Sequence, residues 1–156
     1  ASLLSIEDAE RVTTQVLISP VPASGLPLPE DALGLFRSAP NNEGSLGTIL
    51  DLATVNLPGD KKGALVAEAV KISEACMQGS LSSWMAGGFA ERLGQTKART
   101  LVVASEDPFL PVPFLQQAVA DPIPNAELTV INGAGHYIQL EQPEQTVDTL
   151  RSFLSA

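Results

Sequence analysis

The sequence contains one cysteine, Cys76, and one histidine, His136. A single cysteine cannot form a disulfide within the chain, and Cys76 falls in phase with an apolar helical face, so we expect it to be a small core residue. Metal sites combine several histidine, cysteine or carboxylate ligands at fixed spacing. One histidine and one cysteine do not supply such a set, so we expect no metal and no other cofactor.

Basic residues are also scarce, since 9 lysines and arginines stand against 18 acidic residues and the net charge is −9. This balance argues against binding to nucleic acid or to an anionic membrane, and no basic patch with interleaved aromatics is present. No apolar run is long enough to span a bilayer, and the signal-peptide pattern is absent. We therefore expect a soluble, cytoplasmic protein, although a secretion signal could lie upstream of Ala1.

The order of the apolar runs predicts an α/β fold in which two core pieces flank a helical insertion. Residues 15–19 are apolar without strict alternation, as in a strand buried on both faces of a parallel sheet, and several prolines follow them. Strand-like runs return at 100–104 and 127–131, and a final helix places Val147, Leu150, Phe153 and Leu154 on one face. The predicted division is a core piece at 1–27, a helical segment at 28–95 and a core piece at 96–156.

Four helices are predicted within residues 28–95 from capping residues and apolar spacing. Pro29-Glu30-Asp31 opens the first helix, and a turn at 41–44 precedes the second. Asp60 is the expected N-cap of the third, in which apolar residues recur at helical spacing. Ser80 is the expected cap of the last helix. The apolar positions assigned to the third and fourth helices are Leu65, Ala69, Ile72 and Cys76, and then Trp84, Met85 and Phe89.

Two loops that follow buried strands carry residues with catalytic potential. The run Leu101-Val102-Val103-Ala104 leads into Ser105-Glu106-Asp107-Pro108, and the strand at 128–131 leads into Gly133-Ala134-Gly135-His136-Tyr137. Open α/β sheets place their chemistry at the carboxyl ends of the strands. A carboxylate and an imidazole at neighbouring strand ends are two members of a nucleophile–histidine–acid triad.

The segment from Ala98 to Phe153 resembles the C-terminal half of an α/β-hydrolase, with its order of strand, acid turn, helix, strand, Gly-x-Gly-His loop and closing helix. Residues 1–12 are similar to the end of the helix that follows the nucleophile in that family. The resemblance implies that His136 is the general base and that Asp107, which precedes Pro108, is the acid rather than Glu106. It also implies that the helical segment 28–95 is a cap over the site. The substrate-binding residues that it suggests are Trp84, Phe89, Phe109 and Tyr137.

The nucleophile elbow of that family, Gly-x-Ser-x-Gly, is absent from the sequence. Glu43-Gly44-Ser45-Leu46-Gly47 lacks the first glycine and a preceding strand, so we interpret it as a turn in the cap. Ser2 is followed by two leucines that would crowd an elbow. We therefore expect a second polypeptide, which carries the N-terminal half of the hydrolase, to supply the nucleophile and the oxyanion hole. Such a heterodimer could arise by proteolytic processing of one precursor or by separate expression, or the sequence could be a fragment.

Three functions remain open at this stage. The resemblance favours an esterase with a Ser-His-Asp triad, and an aromatic content of 4% favours small or aliphatic substrates over stacked rings. A dehalogenase-like hydrolase with an aspartate nucleophile is an alternative, in which Trp84 would be the cap tryptophan. The third is a non-catalytic binding module that retains His136 and Asp107, with Trp84 and its neighbours serving only in helix packing.

Overall fold

The computed structural model describes residues 1–155 and contains, within that range, a three-stranded parallel sheet. Its strands are β1 (Thr14–Ile18), β2 (Arg99–Ala104) and β3 (Ala126–Val130), in the spatial order β1-β2-β3. The three strands expected from the apolar runs are thus confirmed, each within one residue at its ends. Because all three run in the same direction, their carboxyl ends lie along one edge of the sheet.

Helices fill the connections between the strands. The helices of the described residues are α1 (Ser2–Glu7), α2 (Glu30–Arg37), α3 (Glu43–Ala53), α4 (Gly59–Ala69), α5 (Glu74–Ala86), α6 (Val112–Leu115), α7 (Ile138–Glu141) and α8 (Pro143–Ser155). A 3₁₀ helix covers Ala90–Gln95, and α6 continues into a π-helical turn at Gln116–Ala120. Of the helices in residues 1–155, none combines the length and the apolarity needed to cross a membrane.

Two predicted helix starts between β1 and β2 are wrong. Pro58, with extended backbone, occupies the N-cap position of α4, and Asp60 lies in the first turn, where its charge favours the helix N-terminus. The predicted helix from Leu65 to Cys76 is interrupted, because the N–H groups of Lys71 and Ile72 bond three residues back. Ser73 then caps α5 by accepting the N–H of Cys76 at 3.2 Å, so Ser80 lies inside that helix.

Cys76 is exposed, which corrects its expected place in the core. It lies in the first turn of α5, and the buried side of that helix is formed by Met77 and Leu81 instead. Because α5 begins anew after its N-cap Ser73, its buried face does not continue the helical spacing of α4. The spacing that placed Cys76 on an apolar face therefore ends at the break.

The central strand β2 is buried on both faces. Leu101 and Val103 point to a cluster with Ile138 and Phe153, whereas Val102 and Ala104 point to a second cluster on the opposite face. This alternation explains why the run at 100–104 is apolar throughout, as expected for a parallel sheet. A third cluster lies among α2, α3 and α5; its buried members are Leu33, Ala39, Leu46, Met77 and Leu81.

Apolar side chains of α1 and α8 are exposed, and two buried polar side chains near β1 lack hydrogen-bond partners among the described residues. In α1, Leu3 and Leu4 are 42% and 58% exposed. On the predicted face of α8, Phe153 is buried, but Val147 and Leu154 are 43% and 61% exposed, so that face is only partly covered by the described residues. Two buried side-chain oxygens of the β1 region have no hydrogen-bond partner within residues 1–155; they belong to Gln15 and Ser19.

The two ends of the helical connection are in backbone contact. The N–H of Leu26, after β1, donates to the carbonyl of Trp84 near the end of α5 at 2.8 Å. Glycines permit this approach, because a Cβ on Gly25 would lie 2.3 Å from the carbonyl oxygen of Met85 and a Cβ on Gly87 would lie 2.3 Å from the nitrogen of Gly25. The chain therefore enters and leaves the helical connection through one narrow neck.

Candidate active site

Asp107 and His136 follow adjacent strands and meet at the carboxyl edge of the sheet. The Nδ1 atom of His136 lies 2.6 Å from Oδ2 of Asp107. The Asp107 side chain is fully buried, and its other oxygen, Oδ1, accepts the N–H of Phe109 at 2.8 Å. The imidazole is 38% exposed. A carboxylate held in this way keeps the proton on Nδ1 and leaves Nε2 as the nitrogen that can accept a proton.

Glu106, the neighbouring carboxylate, is directed elsewhere. Its Oε1 accepts the N–H of Gly133 at 3.0 Å, and its own N–H donates to the carbonyl of Ala134 at 2.9 Å. Glu106 thus ties the acid turn to the start of the histidine loop. Of the two adjacent carboxylates, the one that meets the imidazole is Asp107.

The histidine loop lies directly against the C-terminal end of α3. The N–H of His136 donates to the carbonyl of Ala53 at 2.7 Å. Gly135 has to be glycine here, since a Cβ would lie 2.3 Å from that carbonyl oxygen and 2.8 Å from the Cα of Thr54. The hydroxyl of Ser105 supports the loop from the sheet side by donating to the carbonyl of Gly135 at 2.7 Å.

An apolar cavity of about 210 Å³ opens beside the imidazole. Three of the four side chains predicted to bind substrate, Trp84, Phe109 and Tyr137, line it together with His136. The remaining lining residues are aliphatic or aromatic and come from α2, α3 and the loops after β1 and β2: Val21, Leu26, Leu28, Phe36, Ile49, Ala53 and Leu110. The cavity offers space for an apolar group next to the imidazole.

Phe89, the fourth predicted residue, is not among the residues that line this cavity. The chain turns after α5 at Gly87 and Gly88, both of which have positive φ, and Gly88 then bonds to the carbonyl of Ala23 at 2.9 Å. Phe89 consequently packs against the core cluster that contains Leu93 and Leu115.

Tyr137 stands edge-on to the imidazole, with the ring centroids of His136 and Tyr137 5.6 Å apart and the planes at 79°. Burial raises the pKa of the Tyr137 phenol above its ordinary value of 10.0, because the phenolate would lose its hydration. The phenol is therefore neutral at physiological pH and contributes shape rather than charge to the cavity.

A second apolar cavity of about 180 Å³ lies deeper among α3, α4 and α5. It shares the walls Phe36, Ile49, Trp84 and Tyr137 with the first. The rings of Phe36 and Trp84 meet edge to face, with centroids 5.7 Å apart. This aromatic pair forms part of the partition between the two spaces.

Glu141 is a residue of the site that the sequence did not indicate. The residue is only 8% exposed, and its carboxylate accepts the N–H groups of Val55, Asn56 and Gly135. The contact with Val55 spans 86 positions of the chain, so no local pattern points to it. In sequence, the residue looks like one more acid near a helix start.

Within residues 1–155, neither Ser45 nor a cluster of metal ligands forms a second candidate site. Ser45 lies half-buried in the first turn of α3, which corrects its interpretation as a turn, and its hydroxyl pairs with that of Ser38 at 2.9 Å. Within residues 1–155, no group of three or more histidine, cysteine or acidic side chains is placed to hold a metal ion.

A sheet of parallel strands with helices on both faces, and an acid–histidine pair after adjacent strands, is the arrangement expected of an α/β-hydrolase. The chain matches the alpha/beta hydrolase family over residues 1–149 and therefore belongs to that family. No curated protein matched the chain in a separate comparison.

Solved structures of esterases and related hydrolases are similar to the chain. An N-acyl homoserine lactone degrading enzyme is 28% identical with a TM-score of 0.73, and the match covers 97% of this chain and 62% of that enzyme. A thermophilic esterase is 25% identical with a TM-score of 0.76, covering 97% and 60% of the two chains. An esterase from Exiguobacterium antarcticum shares the fold at a TM-score of 0.83 with 14% identity, covering 100% and 64%. The chain thus spans under two thirds of the length of these enzymes.

Proposed function

We propose that this chain supplies the acid and the general base of an esterase-type hydrolase that uses a Ser-His-Asp triad. The observation that carries the proposal is the 2.6 Å pairing of His136 Nδ1 with the buried carboxylate of Asp107 at the mouth of an apolar cavity. In such a triad the Nε2 atom of His136 takes the proton from the nucleophile and then returns it to the leaving group. Asp107 fixes the tautomer and stabilises the imidazolium that forms.

The nucleophile and the oxyanion hole belong, in this proposal, to polypeptide outside the 156 residues. A second chain that carries the N-terminal half of the hydrolase would extend the sheet at β1 and place its nucleophile elbow beside the carboxyl end of that strand. The position of β1 at the edge of the sheet and the exposed leucines of α1 support an added surface on this side. If these residues are a piece of a longer chain, the N-terminal part of that chain would occupy the same place.

The helices α2 to α5 act, in this proposal, as a cap that selects the acyl group. Side chains of α2, α3 and α5 form much of the cavity wall, which is apolar apart from the imidazole of His136 and the hydroxyl of Tyr137. Ligand pockets commonly measure about 300–1,000 Å³, so a cavity of about 210 Å³ suits a short aliphatic group. A short-chain ester is the substrate class that fits these dimensions.

A lactone is the second candidate substrate, since the N-acyl homoserine lactone degrading enzyme is 28% identical to this chain. A lactone is a cyclic ester and would use the same base, acid and nucleophile. Assaying short-chain aryl esters and N-acyl homoserine lactones of matched acyl length side by side would rank the two substrates by kcat/KM.

The assignment is tested in the assembled enzyme, consisting of this chain and the polypeptide that carries the nucleophile. His136→Ala should abolish hydrolysis of a short-chain aryl ester while leaving the fold intact, as judged by circular dichroism. Glu106→Gln is the matched control, because it changes the adjacent carboxylate that does not touch the imidazole. Activity of His136→Ala within tenfold of the parent would overturn the assignment.

The partner is tested by tagging this chain in its source and sequencing what co-purifies. We expect a polypeptide with a Gly-x-Ser-x-Gly elbow that does not separate without denaturant, because association and folding are coupled. A Gly-x-Asp-x-Gly elbow would favour the dehalogenase-like alternative. A 156-residue chain that melts cooperatively as a monomer would show that no second polypeptide completes the sheet.

A further inference from the structure

The buried carboxylate of Glu141 lies at the junction of the sheet and the helical cap. Its Oε2 accepts the N–H groups of Val55 at 2.7 Å and of Asn56 at 2.8 Å, and its Oε1 accepts the N–H of Gly135 at 3.0 Å. No cationic side chain forms a salt bridge with it among residues 1–155. A buried charge is costly unless it is hydrogen-bonded, and these backbone donors fill that role.

The three donors come from two segments that are far apart in sequence. Val55 and Asn56 belong to the loop between α3 and α4, which we call the cap linker (residues 54–58), and Gly135 is the residue before His136. Two further bonds join the same region: the side-chain amide of Asn56 donates to the carbonyl of Gly133 at 3.0 Å, and His136 donates to Ala53. The carboxylate is thus the centre of a hydrogen-bond network that joins the backbone of the cap linker to that of the histidine loop.

We propose that Glu141 is a positioning residue for His136. Its carboxylate holds the cap linker against the histidine loop, so that the imidazole faces Asp107. The inference rests on the proposed function. Glu141 makes no contact with the imidazole itself and acts through the backbone of Gly135 and the cap linker. One consequence is that the α3 end of the cap does not open when substrate enters, because opening there would displace the general base.

The decisive variant is Glu141→Gln in the assembled enzyme. Glutamine keeps the size of the side chain but replaces one accepting oxygen with an amide that donates, so either the Gly135 bond or the pair of cap-linker bonds is lost. A misplacement of about 1 Å in a catalytic group costs about 10²-fold in rate. We therefore expect kcat to fall by about 10- to 10²-fold while KM changes by less than about threefold, since the cavity walls stay in place.

Glu144→Gln is the matched control, because Glu144 is an exposed acid three positions further on, in the first turn of α8. It should leave kcat and KM unchanged. Asn56→Ala provides a second, milder variant, since it removes only the bond to Gly133 and leaves the backbone donors to Glu141 intact. It should lower kcat by a few fold without loss of folded protein, so the inference remains testable if Glu141→Gln does not fold.

A spectroscopic measurement separates positioning from a general loss of stability. The proton on Nδ1 of His136 can be followed by proton NMR with labelled histidine, and its low-field resonance reports the bond to Asp107. We expect this resonance to shift or broaden in folded Glu141→Gln and to be unchanged in Glu144→Gln. An unchanged resonance, or a loss of activity that only follows the folded fraction, would overturn the inference.

Failure of this inference can be told apart from failure of the proposed function. If His136→Ala is inactive but Glu141→Gln and Asn56→Ala retain the parent kcat, the triad assignment stands and the positioning role is wrong. If His136→Ala remains active, the proposed function fails, and the resonance of His136 in Glu141→Gln still decides whether the carboxylate orients the imidazole.

Discussion

The acid Asp107 follows β2, whose residues are almost completely buried, whereas the helices between β1 and β2 keep much of their surface in solvent. In β2, Val102, Val103 and Ala104 are all 0% exposed. In α4, by contrast, the described residues include no buried side chain. The sheet therefore holds the Asp107–His136 pair in a fixed geometry, and the helices of the proposed cap form an adjustable wall. Substitutions in the sheet should affect turnover and stability, and those in the cap should affect selectivity.

The largest effect is expected from Asp107→Asn in the assembled enzyme. An amide in place of the carboxylate favours the wrong tautomer of the imidazole, and the equivalent change in a well-studied serine protease lowers kcat by about 10⁴-fold. We expect a loss of that order for Asp107→Asn with little change in KM, measured with a short-chain aryl ester. A loss below tenfold would show that the buried geometry of this pair is not used in turnover.

A second contrast concerns stability. Leu101→Ala, in β2, should lower the free energy of unfolding by about 2–5 kcal/mol, because it leaves a cavity in a fully packed core. Leu65→Ala, in α4, should cost about 1 kcal/mol, since a half-buried side chain loses only part of the roughly 1.5–3 kcal/mol of full burial. Urea unfolding of the assembled enzyme measures both. Equal costs would contradict the division into a rigid sheet and an adjustable cap.

The aromatic partition in the cap should set acyl length. Replacing Phe36 with alanine would join the cavities of about 210 Å³ and about 180 Å³, so a longer chain would fit. Octanoate has four more methylenes than butyrate, and each buried methylene contributes about 0.8 kcal/mol. Burial of about two of them in the joined space would raise the kcat/KM ratio of octanoate to butyrate esters by about tenfold. Phe89→Ala is the comparison variant, because Phe89 packs on the core rather than on the cavity. A ratio that changes equally in both variants would place the selectivity elsewhere.

The smallest effect is expected at high pH from Tyr137. Because burial raises the pKa of this phenol in the folded protein, the unfolded phenol ionises first as the pH rises. The contribution of the neutral phenol to stability is complete below pH 10 and is lost as the pH rises through the folded pKa. Above about pH 10, the free energy of unfolding should therefore fall less in Tyr137→Phe than in the parent. Below about pH 10, the difference between the two proteins should not change with pH. A constant difference between the urea midpoints of the parent and Tyr137→Phe at every pH would show that the phenol is not desolvated.

The strands and the acid–histidine pairing could be predicted because their causes are local. Three apolar runs end in turn-forming residues, and parallel strands bring their carboxyl ends together, so Asp107 and His136 meet. The observed helix starts at Gly59 and Glu74, the exposure of Cys76 and the contacts of Glu141 could not be predicted in the same way. The break between α4 and α5 sets the helix start and the exposure of Cys76, and two of the three donors to Glu141 lie 86 and 85 positions upstream.

The glycine-lined neck between Gly25 and Gly87 has a consequence for how such enzymes diverge. The two ends of the cap are already bonded to each other through Leu26 and Trp84, so the sheet meets the same short junction whatever lies between them. The entropic cost of closing a loop grows only slowly with its length, by about 0.6 kcal/mol per doubling. We therefore expect that caps of different length can be exchanged at this junction, and that only the bonds between the cap linker and the histidine loop limit which replacements remain active.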